Sequence, residues 1–326
     1  PYVSFANCGL PFHVSGEIAE RDNLLVQTPE RLKARFNIDV RPESEVLSVD
    51  ANKKEITVRH DDKVYTESYD KLILSPGAKP FVPEMEGLDS ADNVFVLRNI
   101  PDLDKIMASL SDVQSGNATV IGAGFIGLEM AESLAKKGLN VTIVEKAPHV
   151  LPPLDEEMAA FVKNELARNG ITVYTNQSAK AFKDNGKTII LEDGSELTSD
   201  ITIMSVGVQP ESSLAKEAGL ELGLRGGILV NQNYQTSDPD IYAVGDAIIV
   251  KQEITGQDAL ISLASPANRQ GRQVADNIAG IARQNKGSIG TAIVRVFDLA
   301  AASTGLSERI ARQHFEDVAV VHTNNK

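Results

Sequence analysis

Three glycines at a fixed spacing constrain the fold of this chain more than any other feature. In residues 118–147 (ATVIGAGFIGLEMAESLAKKGLNVTIVEKA), the motif Gly122-x-Gly124-x-x-Gly127 follows an apolar strand and opens a helix. In this pattern the first glycine permits a tight turn, the second lets the backbone approach a pyrophosphate, and the third lets the helix pack closely on the strand. The segment therefore predicts a dinucleotide-binding βαβ unit, with a merely structural glycine turn as the alternative.

The second strand of this segment ends in an acidic residue, Glu145. A carboxylate at this position accepts hydrogen bonds from the ribose 2′-OH, whereas a 2′-phosphate would meet a like charge. The pattern favours NADH over NADPH. The neighbouring Lys146 weakens this preference, so NADPH stays open as an alternative.

Strand and helix patterns alternate over the middle of the chain. Strands are predicted at 118–122, 141–145, 171–174 and 201–206, with helices at 125–137 and 155–169. Such alternation indicates an α/β fold with a parallel sheet and crossover helices. Further elements are predicted as a hairpin over 46–59, a buried strand at 69–75, a strand at 241–244 and a helix from about 267 to 283.

Composition excludes several classes of protein and site. The 326 residues include 32 basic and 45 acidic ones, and the net charge of −13 argues against a nucleic-acid or anionic-membrane surface. No run of about 18 apolar residues predicts a transmembrane helix. The single cysteine excludes a disulfide framework, a CxxC pair and a cysteine-based zinc site, and no metal site is predicted.

The ends of the sequence carry an expectation of their own. The chain starts at Pro1 in an apolar segment and stops at Lys326, just after an apolar, strand-like run at 318–321. Both ends are interpreted as truncations of a longer protein. No signal peptide is visible, although a missing start could have carried one, and a cytoplasmic location is expected.

The cysteine, Cys8, lies in the segment SFANCGLP (residues 4–11). From the residues alone, a single cysteine among apolar neighbours is more often buried and inert. A reactive thiol needs a helix N-terminus or a positive neighbour, and Leu10 and Pro11 can open a helical turn directly after Cys8. His13 is the nearest candidate base, but helical spacing does not place it squarely over Cys8, which favours a structural role.

Four segments together resemble the flavin-dependent pyridine nucleotide-disulfide oxidoreductases, in particular their single-cysteine branch of coenzyme A-disulfide reductases and NADH-dependent persulfide reductases. SFANCGLP resembles the SFxNCxxP active-site motif of that branch. LILSPGAKP (72–80) resembles the segment that links the flavin and NAD domains, and GAGFIGLE (122–129) matches the NADH fingerprint. TSDPDIYAVGDA (236–247), followed by SPANRQGR (265–272), resembles the second flavin motif. With this resemblance the expectation for Cys8 changes from inert to catalytic.

The resemblance implies a fold with two Rossmann-like, three-layer FAD/NAD(P)-binding domains. The flavin domain would comprise residues 1–98 and 232–286; it is discontinuous and incomplete because its first βαβ unit is missing. The NAD(H) domain would comprise residues 99–231. Residues 287–326 would begin an α+β interface domain, which implies a homodimer in the full-length protein.

The resemblance also implies FAD and NADH as cofactors and gives roles to single residues. Cys8 and Glu129 would be catalytic, since Glu129 matches a family glutamate close to where nicotinamide meets flavin. Phe125 matches an aromatic residue that covers the flavin, and Asp246 matches the acid that binds the ribitol. The simpler alternatives are that Glu129 is a surface charge on the helix, that Phe125 is a core residue and that Asp246 is an ordinary turn aspartate. The predicted cofactor-binding residues are Gly122, Gly124, Phe125, Ile126, Gly127, Glu145, Gly207, Ser75, Pro76, Gly77, Gly245, Asp246, Ala264, Pro266 and Ala267.

The implied substrate is a small disulfide or persulfide linked to coenzyme A. The Cys8 thiolate would attack it and form a mixed disulfide. Asn7, Arg21 and Lys33 are predicted substrate contacts, although basic residues are common on any surface. Two alternatives stay open: an NADH oxidase or peroxidase that cycles Cys8 through a sulfenic acid, and a non-catalytic NAD(H)-binding redox sensor.

Overall fold

A computed structural model describes residues 2–113 and 115–324, so Pro1 and Lys326, interpreted above as truncation points, lie outside the described residues. The α-helices in these ranges are α1 (Leu10–Ser15), α2 (Pro29–Phe36), α3 (Ile100–Asp112), α4 (Phe125–Lys136), α5 (Glu156–Arg168), α6 (Ser213–Glu217), α7 (Ala264–Ile278) and α8 (Glu308–His314). Within the same ranges, no helix has the length and apolar character needed to cross a membrane.

The β-strands in the described part of the chain are short. They are β1 (Ser4–Phe5), β2 (Leu25–Gln27), β3 (Ser44–Asp50), β4 (Glu55–His60), β5 (Lys63–Ser68), β6 (Leu72–Leu74), β7 (Ala78–Pro80), β8 (Val94–Phe95), β9 (Asn117–Ile121), β10 (Asn140–Glu145), β11 (Thr172–Thr175), β12 (Ala179–Lys183), β13 (Thr188–Leu191), β14 (Glu196–Thr198), β15 (Ile201–Met204), β16 (Val208–Pro210), β17 (Ile241–Ala243), β18 (Val250–Lys251), β19 (Asp258–Ala259), β20 (Ala292–Val296) and β21 (Leu299–Ser303).

The chain divides into two units, and each is described by itself. The first unit is built mainly from Gln27–Lys79 and Val208–Gly290. The second comprises Ser4–Val26, Pro80–Gly207 and the chain from Thr291 onward. The domain boundaries expected from the sequence are defined by the cofactor that each part would bind, not by these two units. They stay a prediction.

The second unit centres on a five-stranded parallel sheet in the order β11-β10-β9-β15-β8. Four of the five residues of β9 are buried, because a parallel sheet covered by crossover helices has no solvent face. Helix α4 links β9 to β10 and α5 links β10 to β11, which confirms the predicted alternation. Strand β15 ends at Met204, before the predicted residue 206, because its partner residue Ile121 is the last of β9.

The first unit combines an antiparallel sheet, β3-β4-β5, with a parallel pair, β6-β17. The hairpin over 46–59 is confirmed, and β5 adds a strand that the sequence analysis did not identify. The strand predicted at 69–75 is limited to three residues, since its partner β17 is equally short and pairs Leu74 with Ala243. Tyr234, Ile228 and Ile241 are fully buried in the core of this unit.

Two further predicted elements differ from the structure. Helix α7 covers Ala264–Ile278 rather than 267–283, and Gly280, with a φ of 83°, ends the helical path. The apolar run at 318–321 forms no strand, and Val321 is 81% exposed. A strand needs a neighbour for its backbone N–H and C=O groups, and the described residues provide none for this run.

Candidate functional site

The glycine motif forms the turn between β9 and α4. Gly122 has a φ of 103°, and a Cβ at this position would lie 2.4 Å from the backbone oxygen of Ser205. A Cβ on Gly127 would lie 2.0 Å from the Gly122 oxygen, so the helix and the turn are in direct contact. A Cβ on Gly124 would meet nothing within 4 Å, which leaves open space at the start of α4.

The first turn of α4 is built to receive an anion. Gly124 is the N-cap residue and provides no side-chain acceptor, so the first backbone N–H groups of the helix keep their donor capacity. Phe125 is half-buried in this turn, and Ile126 is 41% exposed. The open space and the uncapped N–H groups fit the pyrophosphate of NAD(H).

Glu145 closes the same site from the end of β10. Its carboxylate is buried, with Oε2 accepting from the Ala123 N–H at 2.6 Å and Oε1 accepting from the Ala147 N–H at 2.7 Å. Each carboxylate oxygen has a second lone pair, so Glu145 still has acceptor capacity for a ribose hydroxyl. The residue expected to bind ribose thus also ties together the loops that follow β9 and β10, a role the sequence analysis did not identify.

Glu145→Ala is expected to lower both stability and nucleotide selectivity. Two backbone N–H groups would lose their acceptors, at a cost of about 1–3 kcal/mol in the free energy of unfolding. The ratio of NADH to NADPH affinity should also fall, since the repelling carboxylate is gone. Urea unfolding and nucleotide titration measure the two effects, with the exposed Glu192→Ala as the control. An unchanged unfolding free energy would contradict the structural role of Glu145.

Cys8 is exposed, in contrast to the expectation of a buried cysteine that its apolar neighbours alone suggest. It lies in a 3₁₀ turn (Asn7–Gly9) directly before α1, which begins at Leu10 as predicted. The Asn7 side chain donates to the Arg98 carbonyl oxygen at 3.2 Å and accepts from Arg98 Nη1 at 2.5 Å. The His13 ring donates through Nδ1 to the Ile18 carbonyl oxygen at 2.7 Å, which agrees with a structural role.

The helix that follows Cys8 packs against the nucleotide helix α4. Leu10, Pro11 and Val14 of α1 are buried. Ser133 of α4 donates through Oγ to the Pro11 carbonyl oxygen at 2.8 Å. The structure therefore brings the cysteine segment and the nucleotide turn onto two elements in direct contact within the second unit.

Glu129 lies on α4 and is half-buried. Within the described ranges its carboxylate makes no hydrogen bond, and burial raises its pKa to about 7, aided by the negative charge of Glu132 and opposed by Arg295. A carboxyl group with this pKa exchanges a proton near neutral pH, as acid–base groups in active sites do. The environment thus differs from the fully solvated helix face of the simpler reading.

The residues expected to contact FAD lie mainly in the first unit. Ser75, Pro76 and Gly77 follow β6, and Gly245 and Asp246 follow β17, so both loops leave the same end of this parallel pair. Ligands of open α/β sheets bind at such carboxyl ends.

Helix α7 meets the loop that follows β17. The Gly245 N–H donates to Gln270 Oε1 at 2.7 Å, and no side chain caps the start of the helix at Ala264. Pro266 is buried and Ala267 is half-buried in the first turn. The uncapped start of a helix that contacts the loop after β17 fits the anionic edge of a flavin.

The other predicted residues are more dispersed. Gly207 is the last residue of the Pro80–Gly207 segment of the second unit, and its oxygen accepts from the Phe81 N–H at 2.9 Å. Arg21 donates through Nε and Nη2 to both carboxylate oxygens of Asp104 at 2.7 Å each, a bidentate ion pair that engages its guanidinium within the protein. Lys33 is exposed on α2 in the first unit. Arg21 and Lys33 thus belong to different units, and their substrate contacts stay a prediction.

Sequence reasoning missed two groups of residues that shape this region. Ser205 donates through Oγ to the Ile121 and Gly122 oxygens at 3.1 and 3.0 Å, which fixes the end of β9. A charge cluster lies beside Glu129 and consists of Glu17, Glu132, Lys136 and Arg295. The only sequence feature that pointed to this cluster was Glu132, an acid among small residues on the buried face of α4.

No group of three or more metal-ligating side chains occurs in the described residues.

Solved structures share this fold over most of the chain. The reduced CoADR-RHD protein of Bacillus anthracis is 50% identical, with a TM-score of 0.94, over 96% of this chain and 57% of its own. A NAD-dependent persulfide reductase from A. fulgidus is 35% identical, with a TM-score of 0.92, over 96% of this chain and 59% of its own. The NADH-bound water-forming NADH oxidase from Lactobacillus brevis is 29% identical, with a TM-score of 0.89, over 95% of this chain and 68% of its own. The chain thus spans less than two thirds of the first two proteins.

Curated relatives carry several different names, among them NADH oxidase and coenzyme A disulfide reductase. The NADH oxidase of Methanocaldococcus jannaschii is 37% identical over 308 residues, covering 94% of this chain and 68% of that protein. The coenzyme A disulfide reductase of Staphylococcus haemolyticus is 35% identical over 309 residues, covering 93% of this chain and 68% of that protein.

A family model for pyridine nucleotide-disulphide oxidoreductases matches residues 5–271. This match and the solved structures confirm the predicted resemblance, the α/β Rossmann-like fold class and the oxidoreductase class. They also support FAD and NAD(H) as the cofactors. The chain belongs to the pyridine nucleotide-disulphide oxidoreductase family.

Proposed function

We propose that this chain is part of an enzyme that uses NADH and FAD to reduce a small disulfide or persulfide, coenzyme A disulfide or a coenzyme A-linked persulfide, through Cys8. The main support for this proposal is that Cys8 is exposed on a segment packed against the nucleotide helix α4. Relatives named coenzyme A disulfide reductase and persulfide reductase support this choice of acceptor.

The second unit provides the residues for the nucleotide. The open space beside Gly124 receives the pyrophosphate, and Glu145 accepts from the adenosine ribose. Glu129 holds a proton close to neutral pH on the same helix, and the half-buried Phe125 would cover the flavin. When bound, NADH and FAD supply the hydride and electron-transfer chemistry.

The chemistry at Cys8 is thiol–disulfide exchange. The thiolate attacks one sulfur of the acceptor, the sulfur–sulfur bond of the acceptor breaks, and the second sulfur leaves as a thiolate or, from a persulfide, as hydrosulfide. Two-electron reduction of the mixed disulfide, which bound NADH and FAD would supply, would break its sulfur–sulfur bond, restore the Cys8 thiolate and release the substrate part as its thiolate. One cysteine is sufficient because the second thiol of the couple belongs to the substrate. Asn7, held by Arg98, fixes the turn that presents the sulfur.

A second candidate function is NADH oxidation by oxygen or peroxide, with Cys8 cycling through a sulfenic acid. The observation that favours it is the 37% identity to a protein named NADH oxidase. Both functions use the same cysteine and the same nucleotide site, so they differ only in the acceptor.

Steady-state NADH oxidation separates the two functions. We expect the intact, flavin-loaded protein to turn over with coenzyme A disulfide or a coenzyme A persulfide at a kcat/KM at least about tenfold above that with hydrogen peroxide or oxygen. Cystine, a disulfide without the nucleotide part, serves as the matched acceptor control. Turnover with peroxide or oxygen alone would reject the proposal in favour of the oxidase.

The proposal extends to the assembly and location of the protein. We place the full-length protein as a homodimer, since the family resemblance assigns residues from 287 onward to an interface domain. An exposed cysteine stays a free thiol most readily in a reducing compartment, which supports the cytoplasm. Size-exclusion chromatography with light scattering tests the dimer.

A further inference from the structure

The charge cluster joins three elements of the second unit around the buried carboxylate of Glu132. Glu132 is 3% exposed; its Oε1 accepts from Lys136 at 2.6 Å and from Arg295 at 3.3 Å, and its Oε2 accepts from the Phe297 N–H at 2.7 Å. Arg295 also donates to Glu17 at 2.6 Å. A buried carboxylate is stable only with such partners. The cluster therefore fixes the β20–β21 hairpin to α4.

Arg295 is held in one place by contacts of several kinds. Its guanidinium carbon lies 4.8 Å from the centre of the Phe12 ring on α1, a cation–π contact. Glu17, just after α1, accepts from both Arg295 and Lys136 at 2.6 Å. These contacts raise the pKa of Arg295 and lower that of Glu17, so both groups stay ionised at neutral pH.

Glu129 is one helical turn before Glu132, on the same helix. Residues three apart on a helix are neighbours, so the Glu132 charge acts directly on the Glu129 carboxyl group. Arg295 reaches this face of α4 from β20 and acts in the opposite direction. Lys136 and Glu17 are the remaining charged members of the cluster, and they contact Glu132 and Arg295. On α1, His13 is engaged with the Ile18 carbonyl oxygen.

We propose that Arg295 and Glu132 are positioning residues that set the protonation state of Glu129 through their opposite charges. The hairpin that carries Arg295 thereby controls how much of Glu129 is ionised at a given pH. Without the Arg295 charge, the Glu129 carboxyl group would take up a proton from solvent; without the Glu132 charge, it would release one. The importance of this control for turnover rests on the proposed function, but the titration itself does not.

Direct titration of Glu129 tests this inference. The intact protein is labelled at the glutamate carboxyl carbons, and the Glu129 signal, assigned with Glu129→Gln, is followed by ¹³C NMR against pH without NADH or acceptor. Arg295→Gln should move the midpoint upward and Glu132→Gln should move it downward. Each shift should be about one unit, a tenfold change in the ratio of protonated to ionised carboxyl. Arg295→Lys keeps the charge and should restore the midpoint of the original protein.

The opposite signs separate electrostatic control from general loosening. Both substitutions remove contacts from the same cluster, so a merely structural role would shift the midpoint in one direction for both. Shifts of the same sign, or no shift in either variant, would overturn the proposal. The double variant Arg295→Gln/Glu132→Gln removes both charges and leaves no unpaired ion at the centre of the cluster. Its midpoint should lie above that of Glu132→Gln, because the Arg295 charge is also gone, and this comparison keeps the test decisive if Arg295→Gln alone does not fold. Failure of the proposed function would instead show as lack of turnover with sulfur acceptors, with these shifts intact.

Discussion

Replacing Cys8 by serine is expected to abolish the reduction of coenzyme A disulfide and of persulfides, with a loss of about three orders of magnitude in kcat. A serine hydroxyl is not ionised near neutral pH and cannot take the place of the thiolate in thiol–disulfide exchange. NADH-dependent reduction of the flavin should continue, because the nucleotide site on α4 contains no cysteine.

The structure indicates that this substitution leaves the fold around residue 8 intact. Backbone bonds hold the turn around Cys8, with the Ala6 N–H donating to Leu24 at 2.7 Å and the Gly9 N–H donating to Ala6 at 2.8 Å. The thiol is exposed, so serine should fold with an unfolding free energy within about 0.5 kcal/mol of the original. Ferricyanide, which takes electrons without thiol chemistry, is the control acceptor and should be reduced equally by both proteins. Undiminished turnover of Cys8→Ser with sulfur acceptors would remove Cys8 from the mechanism.

The parts of the fold that the sequence predicts well are those where neighbouring residues determine the structure. In β9–α4–β10 the apolar strand, the glycine turn and the end of the helix follow one another within thirty residues. The turn at Gly122 needs a positive φ, and a glycine is the residue that adopts it without strain. Local chemistry of this kind is visible in a single sequence.

The parts that the sequence does not predict depend on contacts between distant residues. Arg295 meets Glu132 across more than 160 residues, and no local pattern indicates that pairing. The exposure of Cys8 likewise depends on tertiary packing. The apolar residues that follow Cys8 in α1 are buried against α4, whereas the thiol stays exposed. The position of Glu145 at the end of a predicted strand indicates ribose binding. Its hydrogen bonds to two loops, however, form only when β9 and β10 are adjacent.

Gly124→Ala in the glycine turn is expected to weaken NADH binding strongly with only a small loss of stability. Gly124 has a φ of −78°, which alanine adopts freely, and an added Cβ would touch no protein atom within 4 Å. The same Cβ would occupy the open space where the pyrophosphate has to approach the backbone. We expect the Kd for NADH to rise at least about tenfold, while the unfolding free energy falls by no more than about 1 kcal/mol, because alanine is a poorer N-cap residue than glycine.

Gly122→Ala is the matched comparison, because the same chemical change meets the opposite environment two residues earlier. There the Cβ would lie 2.4 Å from the Ser205 oxygen, on a residue with a φ of 103°. Strain and overlap together should lower the unfolding free energy by about 3 kcal/mol or more. Urea unfolding and fluorescence titration with NADH, applied to both variants, separate a binding role from a folding role. If Gly124→Ala binds NADH as tightly as the original protein, the open space at the start of α4 is not the pyrophosphate site.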